Sequence, residues 1–318
     1  MPHRVRSLVT QLRAYDSSSL AEAAMLIRAG EPVAVPTETV YGLAADATNA
    51  AAVARIYAAK GRPSFNPLIV HVADLVMARR LVEFSPLAEK LAETFWPGAL
   101  TMVLPRLPDS PVADIASAGL PTLAVRLPSH PAMRALISAA GVPLAAPSAN
   151  HSGGISPTRA SHVLASLGGR IPFILDAGAT SDGLESTIVR PEVEQVVLLR
   201  PGSVTAAMIE EACGLPVAQV GTGEGITAPG QLESHYAPSK PLRLNCLAPA
   251  PDQFHIGFGP GPSQANLSSK GDLAEAAANL FAALHEADAS TLPRISVAPI
   301  PMEGIGVAIN DRLKRAAA

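Results

Sequence analysis

The chain has 318 residues, enough for two domains, since a single core rarely grows beyond roughly 250–300 residues. Hydrophobic residues make up 48% and charged residues only 16%, which excludes disorder over most of the length. A formal net charge of −3 argues against a protein that holds nucleic acid by bulk electrostatics and leaves only a local basic cleft for that purpose.

The opening residues, Met1 to Arg13, carry three arginines without a following apolar stretch. No apolar run reaches membrane-spanning length, so a cytoplasmic protein without membrane partners is expected. Ser19-Leu20-Ala21-Glu22 has capping-box spacing and predicts a helix with Leu20, Ala23, Ala24 and Ile27 on one face, stopping at Gly30. Pro32 to Val35 reads as a buried strand. A second helix is expected from Asn49 to Lys60, closed by Gly61 and Pro63. Leu68–Val72 reads as a strand, and Pro86–Phe95 as a helix with Ser85 at its N-cap and Pro86 at its first position.

Further strands are predicted at Leu100–Leu104, Leu123–Leu127, Leu144–Ala146, Phe173–Asp176, Thr187–Arg190 and Val196–Leu199. Further helices are predicted at Pro131–Ala140, Pro157–Leu167 and Val204–Cys213. Strands interleaved with helices indicate an α/β sheet. Residues 1–216 therefore form one domain. Residues 217–240 are rich in Gly and Pro, lack apolar periodicity and read as a linker; structureless segments of such length are often functional. Residues 241–318 form a second, smaller α/β domain, with strands at Leu242–Leu244, Phe254–Phe258 and Ile295–Pro299. Its first helix carries Leu273, Ala276, Ala277, Leu280, Phe281 and Leu284 on one face, and its last runs from Val307 to Arg315. The two cysteines, Cys213 and Cys246, have no metal-ligand spacing around them, so neither a disulfide framework nor a zinc site is supported.

Walker A, His-Glu-x-x-His, Gly-x-Ser-x-Gly and kinase motifs are missing from the sequence, and Gly221-x-Gly223-x-Gly225 lies in the linker, where it reads as a tether. Lys60-Gly61-Arg62-Pro63 is more informative. Two cations flank a glycine at a helix end, and Pro63 biases Arg62 away from helical geometry, turning its guanidinium outward. A basic helix cap is the alternative. Ala146-Pro147-Ser148-Ala149-Asn150 follows a strand, where α/β folds place ligand contacts. Ser156 and Pro157 would open a helix whose free amides suit a phosphate, or serve only as its cap. Arg126 within an apolar strand must be paired or face a cavity. His71, Arg200 and Ser186 are weak singly, but together these cations and hydroxyls, with few carboxylates beside them, outline an anion site.

Taken together, Pro36-Thr37-Glu38-Thr39-Val40-Tyr41-Gly42-Leu43, Lys60-Gly61-Arg62-Pro63, Asn66-Pro67-Leu68-Ile69-Val70-His71 and Trp96-Pro97-Gly98 resemble the YrdC-type domain. So do Ala146-Pro147-Ser148-Ala149-Asn150, Ser152-Gly153 and Glu185-Ser186-Thr187-Ile188. Ser234-His235-Tyr236-Ala237-Pro238 and Gly304-Ile305-Gly306-Val307-Ala308-Ile309-Asn310-Asp311-Arg312 resemble the long, two-domain form. The family is threonylcarbamoyl-AMP synthase. The resemblance implies a YrdC-like open twisted mixed sheet with helices, plus a small Rossmann-like C-terminal domain.

It also implies a nucleotidyltransferase that condenses L-threonine, bicarbonate and ATP, with Mg2+, to threonylcarbamoyl-AMP and pyrophosphate. That product would feed threonylcarbamoyladenosine modification of tRNA through downstream transferase machinery. Carried over by motif position, Thr39, His71, Arg126, Ala146 and Ser186 would surround threonine. Arg62, Asn66, Thr122, Ser148, Ser156 and Arg200 would hold ATP, with Tyr236 closing over it. Lys60 and Arg62 are the expected catalytic cations, with no metal ligand assigned to a side chain. No nucleophile or general base stands out, which points to catalysis by positioning. Two other functions compete. A non-catalytic tRNA-binding module is disfavoured by the acidic charge and the lack of interleaved basic and aromatic residues. A carbamoyl-transfer enzyme of the hydrogenase-maturation type is disfavoured by the length and the two cysteines.

Overall fold

Asp16 sets the start of the first helix: its carboxylate accepts from the Ser19 amide (2.7 Å), and the Ser19 hydroxyl accepts from the Asp16 amide (2.9 Å). This is a capping box one turn earlier than the expected Ser19–Glu22 pair, because an acidic cap preceding three serines satisfies the same free amides. The computed structural model describes residues 8–220 and 235–318.

The first domain opens with β1 (Gln11–Ala14), α1 (Ser17–Arg28), β2 (Val33–Pro36), β3 (Tyr41–Asp46), α2 (Ala50–Lys60), β4 (Ile69–His71) and α3 (Leu75–Ala78). It continues with α4 (Pro86–Phe95), β5 (Leu100–Pro105), α5 (Asp114–Ser117), β6 (Thr122–Arg126), α6 (Pro131–Ala140) and β7 (Leu144–Ala145). It closes with α7 (Ala160–Leu167), β8 (Phe173–Asp176), β9 (Thr187–Pro191), β10 (Val196–Arg200), α8 (Ala206–Cys213) and β11 (Val217–Gln219).

These strands form a mixed sheet in the order β1-β8-β2-β3-β7-β4-β6-β5-β9-β10-β11. Every residue of β2, β4 and β10 is buried, as expected of strands covered on both faces. Val196–Leu198 pair in parallel with Val217–Gln219, so the first residues of the expected linker belong to the sheet. The Gly221-x-Gly223-x-Gly225 segment lies outside the described residues.

The second domain consists of β12 (Leu242–Arg243), β13 (Gln253–Gly257), β14 (Ala265–Asn266), α9 (Leu273–Ala289), β15 (Arg294–Val297) and α10 (Gly306–Ala316). Its sheet, β12-β15-β13-β14, is parallel throughout, the Rossmann-like arrangement that was expected. Phe254, Ile256, Ile295 and Val297 pack against Leu280, Phe281 and Leu284 of α9 and Leu313 of α10. The same apolar cluster takes in Val40, Ile155 and Leu184 of the first domain, so the two domains share a core. Among the described residues no helix is long and apolar enough to cross a membrane.

Gly183 shows how closely the domains meet. Its φ is +72°, and a Cβ there would lie 2.5 Å from the Ala277 carbonyl oxygen of α9. Gly183→Ala therefore adds left-handed strain and pushes α9 outward. A loss of about 1–3 kcal/mol is expected in urea unfolding; an unchanged midpoint would show that the interface yields without cost.

Candidate functional site

Separate chain segments meet at the carboxyl ends of β4 and β6, where open α/β sheets place their ligands. The parallel register makes His71 and Arg126 direct neighbours. The β2–β3 turn brings Thr37 to Val40 over them, held by Thr37 Oγ1 donating to the Val40 carbonyl (2.7 Å). Ala146, Pro147 and Ser148 follow β7, while Glu185 and Ser186 precede β9 and Arg200 ends β10. All of these except Glu38 line one cavity together with Arg62, His235 and Tyr236. Its volume is about 50 Å3, room for a few water molecules and not for a nucleotide.

The cavity is strongly cationic: Arg62, Arg126 and Arg200 line it against one carboxylate, Glu185. Arg62 reaches the Asn66 carbonyl with Nε (3.4 Å) and the Pro67 carbonyl with Nη2 (3.1 Å), so its partners there carry dipoles and no charge. Burial lowers its pKa to about 10. Gly61 makes this possible: its φ of +62° ends α2 in the left-handed conformation that favours glycine. Arg200 donates twice to the Ser186 carbonyl (3.0 and 2.9 Å) and once to its hydroxyl (3.1 Å).

Arg126 donates to the Gly98 carbonyl (3.0 Å) and to Thr39 Oγ1 (2.9 Å), and pairs with Glu38 at 2.6 Å. Arg126 Nη2 is buried without a hydrogen-bond partner among the described residues, so its contact with Glu38 is an ion pair. Burial opposes ionisation of Glu38, but the Arg126 charge outweighs it and brings the carboxyl down to about 2. Burial, with Arg126 adding repulsion, pushes His71 down to about 3, so the imidazole is neutral. His71 Nδ1, His235 Nδ1 and both polar atoms of the Asn66 amide are buried without a hydrogen-bond partner among the described residues. Such atoms are rare in folded proteins and mark ligand positions when they cluster.

The C-terminal domain supplies the rest. Arg312, fully buried, donates from Nε to Glu185 (2.8 Å) and from Nη2 to the Pro201 carbonyl (2.9 Å). Its guanidinium lies 5.3 Å from the Tyr236 ring centroid, within cation–π range. Tyr236 also packs on Phe281 (5.5 Å) and is held at φ +66°, a conformation uncommon for a bulky residue.

Of the residues expected around threonine, Thr39, His71, Arg126, Ala146 and Ser186 all line the cavity. Among those expected to hold ATP, Arg62, Ser148, Arg200 and Tyr236 line it and three do not. Asn66 is buried behind Arg62. Thr122 begins β6, four residues and roughly 13 Å from Arg126 along the strand. Ser156 is not a helix cap: α7 begins at Ala160, and the Ser156 hydroxyl donates to Glu185, so no helix amides face the site here. Lys60 is also displaced from its expected role. Its ammonium contacts the carbonyls of Ser148 and Asn150 (2.5 Å each), tying α2 to the turn after β7 without lining the cavity. Burial first, then Arg62, pulls its pKa well below the lysine range.

Glu38, Glu185, His235 and Arg312 escaped the sequence reading as site residues, although each sits inside a motif quoted above. Their role depends on partners distant in sequence. Residues 25–202 match the family model described as Telomere recombination, of the Sua5, YciO and YrdC proteins, and residues 204–318 match that described as Threonylcarbamoyl-AMP synthase, C-terminal domain. The threonylcarbamoyl-AMP synthase of Bacillus subtilis is 41% identical, over 97% of this chain and 96% of that protein. This chain belongs to the threonylcarbamoyl-AMP synthase family.

The crystal structure of Pyrococcus abyssi Sua5 complexed with L-threonine superposes with a TM-score of 0.86 at 36% identity, covering 98% of this chain and 97% of that one. A form of the same archaeal protein with a histidine and a tyrosine replaced by alanine gives 0.87 at 33% identity, covering 97% and 96%. Both comparisons span the two domains, so the likeness of fold covers the C-terminal sheet as well as the first domain.

The titrations give a stability signature. His71 and His235 fall from 6.5 unfolded to about 3 folded through burial, and Glu38 from 4.5 to about 2. Below pH 6.5 the unfolded chain binds protons that the folded histidines refuse, and below pH 4.5 the same holds for Glu38. Stability is thus full above about pH 6.5 and is lost as pH falls towards 3, more steeply below 4.5. His71→Gln should flatten the slope between pH 6.5 and 4.5 in urea unfolding at stepped pH; an unaltered slope would mean that His71 titrates normally.

Proposed function

We infer that this chain is an L-threonylcarbamoyladenylate synthase, a nucleotidyltransferase acting on L-threonine, bicarbonate and ATP. The observation that supports this most is the convergence of Thr39, His71, Arg126, Ala146 and Ser186, from separate segments, on one cavity shared with Arg62 and Arg200. The threonine amine adds to the carbon of bicarbonate and water leaves, giving the carbamate. A carbamate oxygen then attacks the α-phosphorus, the bond to the β-phosphate oxygen breaks, and pyrophosphate departs.

Both partners in the second step are anions. Fixed cations in a buried site offset their repulsion and stabilise the charge that develops on the leaving group. The Arg126 guanidinium, whose Nη2 has no hydrogen-bond partner among the described residues, suits the threonine carboxylate, and Ser186 and the Thr37 and Thr39 hydroxyls its polar edges. With a pKa of about 3, His71 is a hydrogen-bonding group and too weak a base to deprotonate an ammonium at neutral pH. Lys60 acts by positioning the Ser148–Asn150 turn.

Mg2+ enters this proposal with ATP, carried by its phosphates. Glu38 and Glu185 are both engaged by arginines, and among the described residues no group of three or more His, Cys, Asp or Glu gathers to hold a metal. A nucleotide exceeds the cavity volume, so ATP entry requires Tyr236 and His235 to shift, which makes them the lid. The adenylate product would pass to the tRNA threonylcarbamoyl-transferase machinery in a reducing cytoplasm.

The direct test is incubation with labelled threonine, bicarbonate and ATP. Pyrophosphate release should require threonine and accompany the adenylate; threonine-independent ATP hydrolysis would contradict the reading. Arg126→Gln, losing a charge-assisted contact of about 1.5–3 kcal/mol, should lower kcat/KM for threonine on the order of 10- to 100-fold with little change in KM for ATP.

A further inference from the structure

A second cavity, about 380 Å3, lies wholly within the C-terminal domain and shares no residue with the catalytic one. That volume falls in the range of small-molecule sites, about 300–1,000 Å3. It sits at the carboxyl edge of the parallel sheet, where α/β folds bind ligands. Each strand contributes: Cys246 follows β12, the Gly257–Pro262 loop follows β13, Asn266 ends β14, and Ala298 follows β15.

The chemistry of the lining narrows the ligand. It contains no Asp, Glu, Lys or Arg. A glycine-rich loop after a strand commonly cradles phosphate through its amides, and this loop has few to offer. Pro260 and Pro262 have no N–H, and the Gly259 amide already donates to the Ser268 carbonyl (2.8 Å). What the cavity offers is an apolar lining, Leu247, Phe258 and the loop prolines, and a neutral hydrogen-bonding edge.

Two groups make that edge. Asn266 Nδ2 donates to the Gly259 carbonyl (2.9 Å) and fixes the loop, while its Oδ1 is buried without a partner. His255, 8% exposed, is tethered through Nδ1 to Ser296 Oγ (3.0 Å) on the adjacent strand. Its Nε2 has no partner among the described residues. Burial lowers the pKa of the ring, so it is neutral and can donate or accept. An acceptor and an imidazole nitrogen set in an apolar lining that includes Phe258 match the polar edge and apolar faces of a heteroaromatic base.

We propose that the carboxyl edge of the C-terminal sheet is a second ligand site, for a neutral, planar molecule of the nucleobase or nucleoside class. Adenosine and inorganic phosphate serve as probes, titrated calorimetrically into the full chain. Adenosine binding should weaken about tenfold or more in His255→Ala and in Phe258→Leu, which keeps bulk but removes the aromatic face. His255→Gln should recover part of the loss, and thermal melting of each variant separates misfolding from lost contact. Arg62→Ala, in the catalytic cavity, should leave this component unchanged. Failure of adenosine to bind, binding abolished only by Arg62→Ala, or phosphate binding that depends on His255 would overturn the proposal. The synthase reading would survive any of these results, because no catalytic-cavity residue takes part.

Discussion

The ion pair between Glu185 and Arg312 is the constraint on which the rest of the site depends. Both groups are buried, and a charge taken out of water is costly unless it is paired and hydrogen-bonded. Glu185 comes from the first domain and Arg312 from the last helix, where Arg312 also pairs with Asp311 (2.6 Å), so Glu185 is the group that depends on the other domain for its ionic partner. Glu185 also accepts from Ser156, and its charge reaches Arg200. Arg312 underlies Tyr236 and thereby sets where the linker enters the cavity. The C-terminal domain is therefore part of the electrostatics of the site as well as the packing surface for Tyr236.

The remaining cations follow a different rule. Lys60 and Arg62 contact backbone carbonyls, and Arg200 contacts both the carbonyl and the hydroxyl of Ser186. Carbonyl dipoles hold a cation in place while cancelling little of its charge. Arg62, held this way in the cavity wall, keeps a positive potential there, the preorganisation that a reaction between anionic partners requires. Arg126 differs from Arg62, since Glu38 pairs with it.

Much of this architecture was legible in the sequence. Helices α4 and α6 lie where Ser85-Pro86 and the Pro131–Ala140 pattern put them, and Gly61 caps α2 as its neighbours implied. Local signals of capping and periodicity carry such elements. β1 and β3 were missed: β1 is fully exposed along its length, and β3 opens within a motif read for its chemistry. Ser156-Pro157 misled because the pair has helix-opening chemistry, yet a buried partner 29 residues on claimed the hydroxyl. Arg312 illustrates the general limit. Its motif was visible, but its meaning lies in a contact across 127 residues that no local pattern encodes.

The central claim, that Arg312 governs the active site through Glu185, is tested most directly by a double-mutant cycle read in threonine-dependent pyrophosphate release. Glu185→Gln and Arg312→Met should each reduce the rate: the first leaves Arg312 with Asp311 as its ionic partner, and the second strands the buried Glu185 carboxylate. Combined, they should do no more harm than the worse single change, since the charge that Arg312→Met strands is then gone. If the two effects instead multiply, the residues act independently and the account is wrong.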